Sequence, residues 1–142
     1  MRILITGSRD WDNFKSLQYR IVEAIQEWVN DHPGLPTDNL SWVTIVHGGC
    51  KTGADRIADI FWRKQGYHPE VYEAQWDKFQ KAAGYRRNRL MVEKGADVCL
   101  AFIRNNSRGS VDCRDQAKRA GIATETFRYE DECERFPLDE KS

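Results

Sequence analysis

Apolar and polar positions along this chain follow two periods in turn. Short apolar runs recur at Arg2-Ile3-Leu4-Ile5-Thr6, Trp42-Val43-Thr44-Ile45-Val46, His68 to Tyr72, Asp97 to Ile103 and Ala123 to Arg128. Their length and β-branched content predict five strands, and the run from Asp97 is apolar enough to be covered on both faces. The segments between them keep helical spacing. Leu17, Ile21, Val22, Ile25, Trp28 and Val29 share one face of a helix over 14–30, and further helices are expected over 54–65, 84–94 and 110–120, stopped by Gly66, Gly95 and Gly121. Residues 31–41 carry two prolines and read as a surface excursion, while 73–83 is bulky but aperiodic and reads as a loop with a short helical turn. Strands alternating with helices predict an α/β fold, an open and mostly parallel sheet of about five strands with helices on both faces.

In such a sheet the ligand crevice lies beyond the carboxyl ends of the strands, where strand order reverses. Three bends of small residues are expected there: Gly7-Ser8-Arg9, the stretch from His47 to Asp55 with Gly48, Gly49 and Gly53, and Asn105 to Ser110 with Gly109. A glycine bend ahead of a helix lets backbone amides and the helix dipole face an anion, most often a phosphate. Alternatively, the glycines only shape the turns. The pattern is not a P-loop, because Ala54-Asp55 stands where Lys-Ser/Thr is required, and no GxGxxG follows either early strand.

Each candidate side chain carries two readings. Arg9 either forks onto a phosphate or pairs with Asp10 or Asp12. Asp55 serves as an acid/base or ribose ligand, or simply complements its helix dipole. Of the cluster Arg86-Arg87-Asn88-Arg89, successive residues point different ways, so Arg87 and Asn88 are the pair expected to face the crevice. Ser8 and Ser110 offer hydroxyls to a ligand, Ser110 with helix capping as its other role. Glu93 is the second acid/base candidate, against a surface pairing with Lys94 or Arg89. Trp11 and Trp76 either stack on a base or belong to the core. Cys50 is either a thiol activated by a helix N-terminus and Lys51 or a small turn residue, and His47, at the end of a strand, either faces the site or, as the default, is hydrogen-bonded and structural.

Composition narrows the classes. With 22 basic and 22 acidic residues among 142, net charge gives no argument for nucleic acid. From Glu130 onward six acids face two bases, which predicts an acidic C-terminal tail over 130–142 beside a single domain over 1–129. Four cysteines without a CxxC pair and three histidines argue against a disulfide framework and a metal site. The chain starts directly in a strand and has no membrane-length apolar run, so a cytoplasmic protein with reduced thiols is expected.

Taken together, Ile5-Thr6-Gly7-Ser8-Arg9-Asp10-Trp11, Val46-His47-Gly48-Gly49 with Gly53-Ala54-Asp55, Arg87-Asn88-Arg89-Leu90-Met91 before Gly95-Ala96-Asp97, and Arg108-Gly109-Ser110 resemble the SLOG superfamily of Smf/DprA and LOG proteins, in its YspA-type, YpsA-related branch. The resemblance implies a Rossmann-like three-layer sandwich that binds a nucleotide or nucleotide-derived, ADP-ribose-like ligand. It implies no further cofactor, and a homodimer by analogy with relatives that pair. LOG members are phosphoribohydrolases with a PGGxGTxxE turn. Here no proline precedes Gly48-Gly49 and Asp55 follows Gly53 by two residues, so a hydrolase acting on a nucleoside monophosphate stands as the alternative. DprA-type members bind single-stranded DNA, a second alternative that the neutral charge balance disfavours.

Overall fold

A computed structural model describes residues 1–138. Five strands form one parallel sheet: β1 (Arg2–Gly7), β2 (Thr44–His47), β3 (Glu70–Val71), β4 (Val98–Ile103) and β5 (Ala123–Arg128). Their spatial order is β3-β2-β1-β4-β5, and every neighbouring pair is parallel. Among the described residues six α-helices accompany them: α1 (Phe14–Asp31), α2 (Ala54–Lys64), α3 (Trp76–Phe79), α4 (Ala83–Lys94), α5 (Arg108–Arg119) and α6 (Tyr129–Arg135). The architecture is a Rossmann-like sandwich.

Period-two alternation along the central strands explains the two layers of core. Ile3 and Ile5 of β1, Ile45 of β2, and Leu100 and Phe102 of β4 point to one face, where Leu17, Ile21 and Ile25 of α1 and Ile57, Ala58 and Trp62 of α2 cover them. Leu4, Val46 and Cys99 point to the other, against Met91 and Val92 of α4 and Cys113 and Ala117 of α5. Complete burial of these strand residues is why the runs carry no polar alternation.

Three elements differ from the sequence expectation. β3 is two residues long, because only Glu70 and Val71 find partners, in Val46 and His47, at that edge of the sheet. α5 begins at Arg108 with Ser107 as its N-cap residue, so Ser110 sits in the first turn and does not cap it. Residues 130–135, expected within a solvated tail, belong to α6, whose Glu132 is buried against Arg20 of α1 at 2.8 Å. The rest of that stretch, 139–142, lies outside the described residues. No helix among the described residues is long and apolar enough to cross a membrane.

Candidate functional site

Strand order reverses between β1 and β4, since the chain leaves β1 for β2 on one side and returns to β4 on the other. Beyond the carboxyl ends of these strands a cleft of about 230 Å³ opens. Its floor is Ile5, Thr6 and Gly7 of β1 and Met91 of α4; Gly48, Cys50 and Asp55 form one wall, and Ser107, Gly109 and Ser110 the opposite one. Arg9, Trp76, Tyr85, Arg87 and Asn88 complete the lining. Bends far apart in sequence therefore meet at one place.

The first and second bends interlock through their glycines. A Cβ on Gly7 would stand 2.3 Å from the Ala54 Cβ, and one on Gly53 would stand 2.2 Å from the Ser8 carbonyl oxygen. Gly53 also has φ of +78°, open to glycine and costly for other residues. The N-terminus of α2 can thus press directly onto the end of β1, with the Ala54 amide donating to the Ser8 carbonyl at 3.2 Å. Ser8 itself is buried and turned inward. Its hydroxyl and the Arg104 backbone satisfy one another at 2.7 and 3.0 Å, tying the loop after β1 to the loop after β4. It stays off the cleft wall.

The turn after β2 uses its own amides. Gly49 donates to His47 Nδ1 at 2.9 Å, and Cys50 donates to Asp55 Oδ2 at 3.3 Å. Together with Ala54, three amides of the second bend, that of Gly49 among them, are taken up by acceptors within the protein. Gly49 packs against Val71 and Glu73 and lines an outer hollow, and Gly53 is pressed against the first bend. Only Gly48 of these three glycines reaches the cleft, and there its missing Cβ admits a guanidinium: a Cβ would meet Arg87 Nη1 at 2.4 Å. Arg87 donates to the Gly48 carbonyl and, through Nε, to Asn88 Oδ1 at 2.9 Å.

The opposite wall is more open. Val111 donates to the Ser107 carbonyl, so the amides of Arg108, Gly109 and Ser110 are the first-turn groups of α5 that have no intrahelical acceptor. A Cβ on Gly109 would meet nothing within 4 Å, which leaves room for close approach. Buried Asn88 anchors this helix start, donating to the Gly109 carbonyl at 3.0 Å and to Asp112 at 3.1 Å.

Charge in the cleft is mostly positive and mostly uncompensated. Arg9 is exposed, and its guanidinium lies 5.9 Å from the Trp76 ring centroid. Asp10 and Asp12 approach Arg104 instead, at 3.9 and 3.8 Å. Asp55 is 5% exposed and, apart from Cys50, has no hydrogen-bonding partner among the described residues. Cys50 is no activated thiol: burial pushes it above the ordinary thiol value and the Asp55 carboxylate pushes further, outweighing Arg87 and Arg9. Cys113, deeper in the core, is pushed up to about 12 by burial. All four cysteines are free, and no group of metal-ligating side chains occurs among the described residues.

Glu93 falls outside this constellation. It is exposed on α4 and pairs with Arg89 at 3.0 Å, as the surface reading had it. Trp11 is a core residue, 2% exposed, edge-on to Phe102 and Tyr129. Trp76 is 49% exposed at the rim, as is Tyr85 at 46%. Sequence reasoning missed Lys81 and Tyr85 in the lining, and put Ser107 within the third bend without giving it a role. Ser107 was legible as the residue before a helix that begins two positions earlier than expected; Lys81 lies in the aperiodic segment and gave no signal.

The model of the YspA, cpYpsA-related SLOG family matches residues 1–79, more than half of the chain and including the first two bends and Trp76. The chain belongs to that family. Gene 61 protein of Mycobacterium phage D29 is 39% identical over 132 residues, which cover 89% of this chain and 95% of that protein. No solved structure matches. In this SLOG chain the third bend, Arg87 and Asn88 lie beyond the matched residues, yet they close the same cleft.

Proposed function

We propose that the protein binds a nucleotide or nucleotide-derived ligand of the ADP-ribose kind in the cleft between β1 and β4. The observation that carries this reading is the Arg9 guanidinium, without a salt-bridging partner among the described residues, sharing one crevice with Arg87, the open first turn of α5 and the buried Asp55 carboxylate. In this reading the phosphates lie between Arg9 and the α5 amides of Gly109 and Ser110, where a cation and a helix dipole act in the same sense. Asp55 accepts from ribose hydroxyls, a task suited to a carboxylate with acceptor capacity left over. Trp76 and Tyr85 supply exposed ring faces for the base. Family membership supports the nucleotide class and leaves the ligand open.

A thermal-shift panel of AMP, ADP, ADP-ribose and NAD tests it. At least one is expected to raise the melting temperature in a concentration-dependent way. Arg9→Ala should weaken that ligand by about 10-fold or more, the loss of one charge-assisted contact. No shift with any of the four at high concentration would overturn the proposal.

A second reading, hydrolysis of the glycosidic bond of a nucleoside monophosphate, rests on Asp55, the one carboxylate lining the cleft among the described residues. Chromatography of AMP incubated with the protein separates the two: release of adenine that is lost in Asp55→Asn favours hydrolysis, and intact AMP favours binding.

A further inference from the structure

The ring of His47 is buried at the end of β2, and both of its nitrogens are committed. Nδ1 receives the Gly49 amide at 2.9 Å, and Nε2 lies 2.8 Å from Asp59 Oδ2 on α2. A backbone N–H can only donate, so Nδ1 carries the lone pair; a carboxylate can only accept, so Nε2 carries the proton. The network therefore fixes one neutral tautomer. Asp59 is in turn held by Arg63 Nε at 2.7 Å. Burial opposes the Asp59 charge, but hydrogen bonds from Arg63 and His47 prevail and keep its carboxyl below its ordinary value.

We infer that His47 is the positioning residue of the cleft: as the Nε2–H tautomer it clamps the Gly48-Gly49 turn, and through the Gly48 carbonyl it sets where Arg87 stands. The chain of contacts is short, running from Asp59 to the His47 ring, to the Gly49 amide, and from the adjoining Gly48 carbonyl to the Arg87 guanidinium. Gly49, at φ of +72°, is wedged against Val71 and Glu73 on its other side. A second proton on the ring would enter at Nδ1, face the Gly49 N–H and remove that acceptor. The charged groups around the ring are Asp59 and Arg63 of α2, with Lys51, Arg56 and Glu73 lining the same outer hollow. The clamp is closed while the ring is neutral and opens when Nδ1 takes a proton. The inference extends the binding proposal above and makes Arg87 placement, and hence affinity, depend on whether Nδ1 is free to accept.

Nitrogen-15 NMR of the full chain tests the clamp without any ligand. At about pH 8 the ring nitrogens should report the Nε2–H tautomer, and the Gly49 amide should be protected from exchange. On lowering the pH the Gly49 resonance should move with the same midpoint as the ring. His47→Asn, whose amide oxygen can stand near Nδ1, should keep the Gly49 protection and abolish its pH dependence, whereas His47→Ala should lose both. Finding the Nδ1–H tautomer, or a Gly49 amide indifferent to the state of the ring, would overturn the inference. Binding of ADP-ribose read in parallel should weaken by about 10-fold in His47→Ala, the equivalent of one lost hydrogen bond. If ADP-ribose and the other nucleotides fail to bind at any pH while Gly49 still follows the ring, the functional proposal falls and the clamp stands. If binding occurs but neither pH nor His47→Ala changes it, the clamp falls and the function stands.

Discussion

Two arginine settings in this molecule handle charge in opposite ways. At the junction of α1 and α6, Arg20 meets Glu132 through two nitrogens at 2.8 Å each and Glu23 at 3.1 Å, while Ser16 donates a further bond to Glu132 at 2.9 Å. The guanidinium also lies 4.5 Å from the Phe127 ring centroid. In the cleft, Arg9 touches only the edge of cation–π range at Trp76, and Arg87 is satisfied by a carbonyl and an amide oxygen. The first arrangement neutralises a buried cation and binds the C-terminal helix to the body. The second leaves the Arg9 charge in solvent with no salt-bridging carboxylate among the described residues, at little cost in stability.

This contrast is sharpened most strongly at the glycine that joins the two bends. Gly53→Ala places a methyl against the Ser8 carbonyl at a positive φ, and should destabilise the chain by about 3 kcal/mol, as measured by urea denaturation. A smaller loss would mean that the bends can part. Next comes Glu132→Ala, which strands the Arg20 guanidinium and the Ser16 hydroxyl at a largely buried site. It should cost about 2 to 3 kcal/mol, toward the low end for a buried pair because Glu23 remains. The same carboxylate predicts an acid limb. Burial disfavours its charge, but Arg20 and Ser16 prevail and hold its folded value below the ordinary one. Its stabilisation is therefore present above the unfolded carboxylate value and is lost as pH falls through the depressed folded value. Glu132→Gln should flatten that limb of the stability–pH curve. The smallest stability effect belongs to Arg9→Ala, within about 0.5 kcal/mol of the parent chain, because no carboxylate among the described residues pairs with it. A large loss at Arg9 would erase the distinction between the two settings.

The parts of the fold legible in the sequence are those where burial is complete. Ile3 to Ile5 and Cys99 to Ile103 are buried on both faces and read as apolar runs, and the helix of Leu17, Ile21 and Ile25 reads as a stripe. β3 was overextended because edge pairing, and not hydrophobicity, sets its length. In the site, Gly7 and Gly53 stand out as residue types, but their reason is contact between two bends, a tertiary fact that spacing does not encode. Ser8 shows the same gap, since whether its hydroxyl turns to Arg104 or to a crevice depends on packing. Glu93 does not: helical spacing alone puts it off the face of Asn88 and Met91. The acidic stretch misleads for a further reason: Glu132 gains a buried partner 112 positions away, which no local charge count reveals.

Trp76 carries a practical consequence. Of the five indoles it alone is largely bathed in solvent, with Trp11 and Trp62 sealed inside and Trp28 and Trp42 partly covered. The mouth of the crevice therefore contains its own optical probe: a dissolved quencher reaches this ring before the other four, and anything that covers the ring would show as protection from it without any added dye.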